Sequence, residues 1–353
     1  MARTEKPTSE HPSPARRAAV YWLRVLLIAG CYYAGGRVGL LRHVTVEGAV
    51  VTPFWPPTGI AVSFLLYFGP RVWPGLALGA LLVVTGMGPL GPTTVGFVAG
   101  NTISPLIAYV LLRRAGFRIE LDRLRDGVSL VFLGAFLGML TSATFGTLMT
   151  VVNDNIELTQ FWPVWSAWWA GDAVGVLVIT PLLLALRKVR LPAGWRRMAE
   201  AAVLVAVTTA LAFLATRSPV NLLFLVFPLL VWASLRFQLA GAALCTAIVS
   251  VAATWAATDS VGGFEHHTLI EGMISLQALN GSAALTALLL AAVTAEKHNT
   301  QRKIEQACEE LAEMVDRLAP RGHRPRSFPS GERTGPSGER TGPSGGWTGQ
   351  RER

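Results

Sequence analysis

The chain has 353 residues, 51% hydrophobic and 15% charged, with 31 Lys and Arg against 22 Asp and Glu, a formal net charge of +9. Its basic residues cluster beside apolar runs rather than forming a stripe interleaved with aromatics, which argues against nucleic-acid binding. Its three cysteines, Cys31, Cys245 and Cys308, show neither a disulfide framework nor metal-ligand spacing. Met1–Arg17 is polar and reads as a disordered cytoplasmic N-terminus. Ten apolar stretches follow, at 18–41, 56–69, 72–87, 93–112, 127–151, 163–186, 200–216, 220–235, 239–257 and 269–294. A bilayer core of about 30 Å takes about 20 apolar residues per helix, and backbone groups in lipid must be satisfied within the span, so helices are expected rather than strands. Arg24 interrupts the first run and no clear cleavage site follows it, so it reads as an uncleaved helix.

Charge sets the thread. Alternate crossing gathers Arg113, Arg114, Arg118, Arg123 and Arg125 in one loop on one side. Arg187, Lys188, Arg190, Arg196 and Arg197 join them in another. The opposite side holds the acidic stretch Asn153–Glu157, and Asp259 and Glu265. The positive-inside rule then puts both termini in the cytoplasm. The fold class expected is an all-α integral membrane bundle of about ten helices (eight to ten, if two short spans are re-entrant), in the plasma membrane at 18–295. A cytoplasmic helix at 296–319 carries Ile304, Cys308, Leu311, Val315 and Leu318 at spacings 4, 3, 4, 3. That seam suits a short coiled coil pairing two copies, or an amphipathic helix lying on the membrane or the bundle. Residues 320–353 carry GERTGPS twice and too little apolar surface to fold, so they read as a disordered tail.

Ionisable and amide side chains inside the spans mark candidate sites, because lipid makes them costly. Asp172 lies 15 residues from Arg187, about 22 Å above the inner end, with Trp168 and Trp169 one turn before it. It either lines a cavity or marks the outer interface. Asn101, after Gly100, sits near mid-membrane. Gln277 and Asn280 share a face of the last span. Each amide alone suits an interhelical bond. Together with Asp172 they suggest one cavity in the outer half. The stretch Trp55-Pro56-Pro57-Thr58-Gly59 starts a short second span; Thr58 is a candidate cap, and the stretch either dips into the membrane or begins an ordinary helix. No catalytic constellation, cofactor motif or metal site is visible. The His266-His267 pair beside Glu265 lacks a third ligand and reads as a solvated loop.

Four segments in order carry a resemblance: FWPPTGIAVSFLLYFGPRVWPGLALGALL, GNTISPLIAYVLLRR, WWAGDAVGVLVITPLLL and FPLLVWASLRF. The chain from Ala18 to Lys297 resembles the bacterial membrane-associated sensor domain of the first type, the MASE family. The resemblance implies a sensory module that acts with a cytoplasmic histidine kinase, diguanylate cyclase or phosphatase. It places Trp55, Pro56, Gly59, Asn101, Gly171, Asp172, Pro181 and Arg236 on recurring motif positions. The chain departs from the usual arrangement in having no output domain after its last helix, so a separate partner or a truncated remnant is expected. The competing reading is a small-solute carrier, which broken helices and a mid-membrane carboxylate also suit. An embedded enzyme would need a second ionisable group facing Asp172.

Overall fold

The computed structural model describes residues 14–187, 194–218, 222–265 and 268–318. The first thirteen residues, the GERTGPS tail and the His266-His267 pair lie outside the described residues. The apolar runs form helices: α1 Pro14–Leu40, α2 Pro56–Phe68, α3 Trp73–Thr85 and α4 Thr94–Arg114. Then come α5 Leu124–Ser129, α6 Leu140–Val152, α7 Phe161–Leu186, α8 Trp195–Arg217, α9 Val226–Thr258 and α10 Leu269–Leu318. Two compact units result, one ending at Arg302 and one beginning at Lys303.

Among the described residues, seven helical segments are long and apolar enough to cross a membrane, fewer than the eight to ten expected. Two expected spans fail on length. α2 and α3 have 13 residues each, about 20 Å of rise. Two more, 220–235 and 239–257, are joined from Val226 onward in α9, which is interrupted at Gln238 (φ 51, ψ −140). Val226 shares a core cluster with Val249, Ala253 and Ala256, and Leu230 and Ala233 share another with Ala242 and Cys245. Val226 and Ala253 would stand about 40 Å apart on a straight helix, so the chain folds back at Gln238. Arg236 fastens the turn with a bidentate pair to Glu200, at 2.7 Å and 2.8 Å.

The expected single span at 127–151 is bent. Leu130–Leu137 widens to π spacing between α5 and α6, and the Ser104 hydroxyl donates to the Gly138 carbonyl at 2.7 Å beside the bend.

One element departs from the all-helical expectation. Val44–Val46 (β1) and Ala49–Val51 (β2) form an antiparallel hairpin with Val44 opposite Val51 and Val46 opposite Ala49. Glu47 and Gly48 both take positive φ, 52° and 90°, which a two-residue hairpin turn of matching twist requires. Val46, Ala49 and Val51 are buried against Ile156, Val164 and Met273.

The first seven helices pack in a chain of neighbours. α1 lies on α2 and α3, α2 on α7, α3 on α4, and α4 on α6. α8 packs on α9, and α9 also meets α7. The α2–α7 crossing is the tightest. A Cβ on Gly175 would strike the Trp55 carbonyl, and one on Gly59 would strike the Gly175 carbonyl. Small residues allow such approach where lipid provides no hydrophobic drive between helices.

Candidate functional site

Two of the segments singled out in the sequence interlock at that crossing. The Trp55 N–H donates to the Gly171 carbonyl at 3.2 Å. The Thr58 hydroxyl donates to the Trp55 carbonyl at 2.8 Å and to the Asp172 carbonyl at 3.0 Å. The Thr180 hydroxyl reaches the Gly59 carbonyl at 3.2 Å. Thr58 therefore does not cap α2 as expected; its hydroxyl serves carbonyls. Pro56 and Pro57 open α2 in the first turn, where a missing N–H leaves no helical bond unmade, and both are buried.

Beside this crossing lies a cavity of about 690 Å³. Its apolar walls come from Tyr32, Trp55, Phe97 and Trp168; Asp172, Thr150 and Asn101 are buried polar groups on its lining, 1%, 5% and 8% exposed. The β hairpin, the segment Met87–Gly91, Asn153 and Asn155 line it too, so it opens toward the end of the bundle where these loops gather. Such a volume fits a small molecule.

Asp172 is the unusual group. Neither carboxyl oxygen has a hydrogen-bond partner, and the Ser142 hydroxyl approaches it without closing one. Among the described residues, no Lys, Arg or His lines the cavity. Asn101, by contrast, is held: its Nδ2 donates to the Phe97 carbonyl at 3.0 Å, and its Oδ1 accepts from the Tyr32 hydroxyl at 3.0 Å. The Phe97 and Trp168 rings stack at 6.1 Å.

The other residues singled out in the sequence sit elsewhere. Trp169 points away, its indole N–H donating to the Phe136 carbonyl at 2.8 Å, its ring 6.1 Å from Trp165. Gln277 does not line the cavity; its Nε2 donates to the Pro53 carbonyl at 2.8 Å, behind the wall that Thr52 and Trp55 form. Asn280 is fully buried with neither amide atom paired, and it too lies outside the lining. The four positions thus do not form one lining. Gly100 packs against Phe145, Gly171 against the Thr52 carbonyl, and Pro181 lies within α7. Arg236 belongs to the reversal at Gln238.

Tyr32 and the hairpin were not foreseen. The hairpin had a readable signal, VTVEGAVV, alternating valines around a two-residue turn containing Gly. Tyr32 had only its hydroxyl inside an apolar run. Among the described residues, no group of three His, Cys, Asp or Glu side chains could hold a metal ion.

No curated protein and no solved structure matches the chain. The MASE1 family model matches residues 24–298, from within α1 to within α10, which takes in the interlocked segments and the cavity. The chain is a multi-pass membrane protein and belongs to the MASE1 family of membrane sensor domains.

Proposed function

We propose that the cavity is where this sensory module meets its signal, and that α10 carries the response to a separate cytoplasmic kinase, cyclase or phosphatase. One observation carries the reading: a buried carboxylate with no partner faces a cavity roomy enough for a ligand, at the crossing of two motif segments. An unpaired carboxylate in a membrane bundle is costly enough to need a functional reason.

The thread favoured here has ten crossings, with 18–295 as the membrane domain. α2 and α3 count as short crossings, and α9 counts as two because of the reversal at Gln238. Both termini then lie in the cytoplasm of a cell bounded by this plasma membrane. The cavity opens outward, between loops that carry Asp154 and Glu157 rather than the arginines of 113–125.

Gln277 supports the relay. It ties α10 to Pro53, three residues from Pro56, so displacement of the cavity wall at Thr52 and Trp55 reaches α10 directly. Near the other membrane face, Glu296 of α10 accepts from the Leu124 N–H at 3.0 Å, and Asn299 donates to Asp122 at 3.2 Å. Beyond Arg302, Ile304, Leu311 and Val315 are exposed on one seam, and Cys308 is exposed with them. Pairing with a second copy would cover that seam.

With Cys31 and Cys245 replaced by Ser, Cys308 should crosslink between chains in native membranes under mild oxidant. Leu311→Lys should abolish the crosslink without loss of insertion. Absence of the crosslink in the parent protein would remove the paired helix from the relay.

A further inference from the structure

We infer that the occupant of the cavity is a small organic cation, with its charged group against Asp172 and its apolar part among Trp55, Phe97 and Trp168. The inference rests on the reading of this cavity as the signal site and narrows its chemistry.

The argument is one of hydrogen-bond supply. Three donors on the lining are committed elsewhere, and the Ser142 hydroxyl beside Asp172 closes no hydrogen bond to it. The Tyr32 hydroxyl serves Asn101, the Asn101 amide serves the Phe97 carbonyl, and the Thr150 hydroxyl serves the Gly146 carbonyl at 2.8 Å. Both oxygens of Asp172, a residue 1% exposed, are acceptors left open. An anionic occupant would find no cation among the described lining residues and would meet the carboxylate as a like charge. A neutral apolar occupant would leave the carboxylate unpaired. A cation answers both conditions, and an ammonium also supplies the missing donors.

The walls select among cations. Aromatic faces attract a positive group through the ring quadrupole, and more strongly where water is excluded. About 690 Å³ is far more room than a bare metal ion fills, and among the described residues carboxylate is the lone charged ligand on the lining. An ammonium or quaternary ammonium carrying a hydrocarbon or aryl body fills both the charge and the volume.

The test uses the full chain in nanodiscs with Cys31, Cys245 and Cys308 replaced by Ser and with Ala80→Cys on the cavity wall. Two thiosulfonate reagents are compared, one bearing trimethylammonium and one bearing sulfonate, each normalised to its rate with a free thiol. The cationic reagent should react at least about tenfold faster, a difference of about 1.4 kcal/mol, and Asp172→Asn should erase the preference. Phenethylammonium should protect Ala80→Cys, whereas 2-phenylethanol at the same concentration should not. If neither reagent reaches the cysteine, the cavity is closed and both the site and its cationic occupant fail. Equal rates, or a preference that survives Asp172→Asn, would leave the site standing and overturn the cation. Protection by sodium ion alone, without protection by phenethylammonium, would also overturn it in favour of a metal ion. Should Asp172→Asn fail to fold, the contrast between phenethylammonium and 2-phenylethanol on the Asp172 protein decides by itself.

Discussion

Two buried aspartates in this bundle have opposite surroundings. Asp126, 2% exposed in the first turn of α5, accepts from the Arg118 N–H at 3.1 Å through Oδ1, with Oδ2 left unpaired, and sits in a loop region with Arg118 and Arg123. Asp172, 1% exposed within α7, has no partner on either oxygen and faces a cavity. The first carboxylate closes a turn at a helix start, where backbone N–H groups and the helix dipole favour negative charge. The second is held in place by everything except its own charge: its carbonyl by Thr58, its helix by Gly171 against Thr52 and Gly175 against Trp55 and Thr58. A buried polar group whose surroundings satisfy it is structural. One whose surroundings are rigid and leave it open is available to something that arrives.

The contrast breaks most severely if the α2–α7 crossing is forced apart. Gly175→Val would drive a side chain into the Trp55 carbonyl and should cost about 3 kcal/mol, the upper end of overpacking. Thermal unfolding in detergent should show the loss, and the cavity response should go with it. Next, Asp126→Ala removes the acceptor of the Arg118 N–H and should cost about 2 kcal/mol. Asp172→Asn should hold or raise stability, because it breaks no bond and removes a buried unpaired charge. An equal loss of stability from the two would make Asp172 a structural residue like its counterpart. Gln277→Leu removes one hydrogen bond from α10 to the loop before α2 and should cost about 0.6 kcal/mol. Its effect should appear in the coupling between cavity and α10 rather than in ligand binding.

Sequence and structure part company at particular residues. The family was readable because its four segments are local and ordered. Asp172 and Asn101 stood out because lipid penalises polar side chains whatever their neighbours. Azimuth was not readable: Gln277 and Asn280 share depth with the cavity, but depth does not say which way a helix face turns, and both point elsewhere. The hairpin was missed despite its alternating valines because two three-residue strands give only a short period between long apolar runs. The reversal at Gln238 falls in the gap between the runs 220–235 and 239–257, but its form, one non-glycine residue at positive φ within a continuous helical segment, is not signalled by composition.

The central claim is that the cavity and the last helix are one coupled system. The most direct measurement is the Cys308 crosslinking yield in native membranes, with Cys31 and Cys245 replaced, across Asp172→Asn, Gln277→Leu and the double variant. Coupling between distant sites is commonly worth about 1–3 kcal/mol. The account therefore predicts that Asp172→Asn shifts the crosslinking equilibrium at least about fivefold, and that Gln277→Leu removes that shift. Yields that are the same with and without Asp172, in proteins that insert and pair normally, would contradict it.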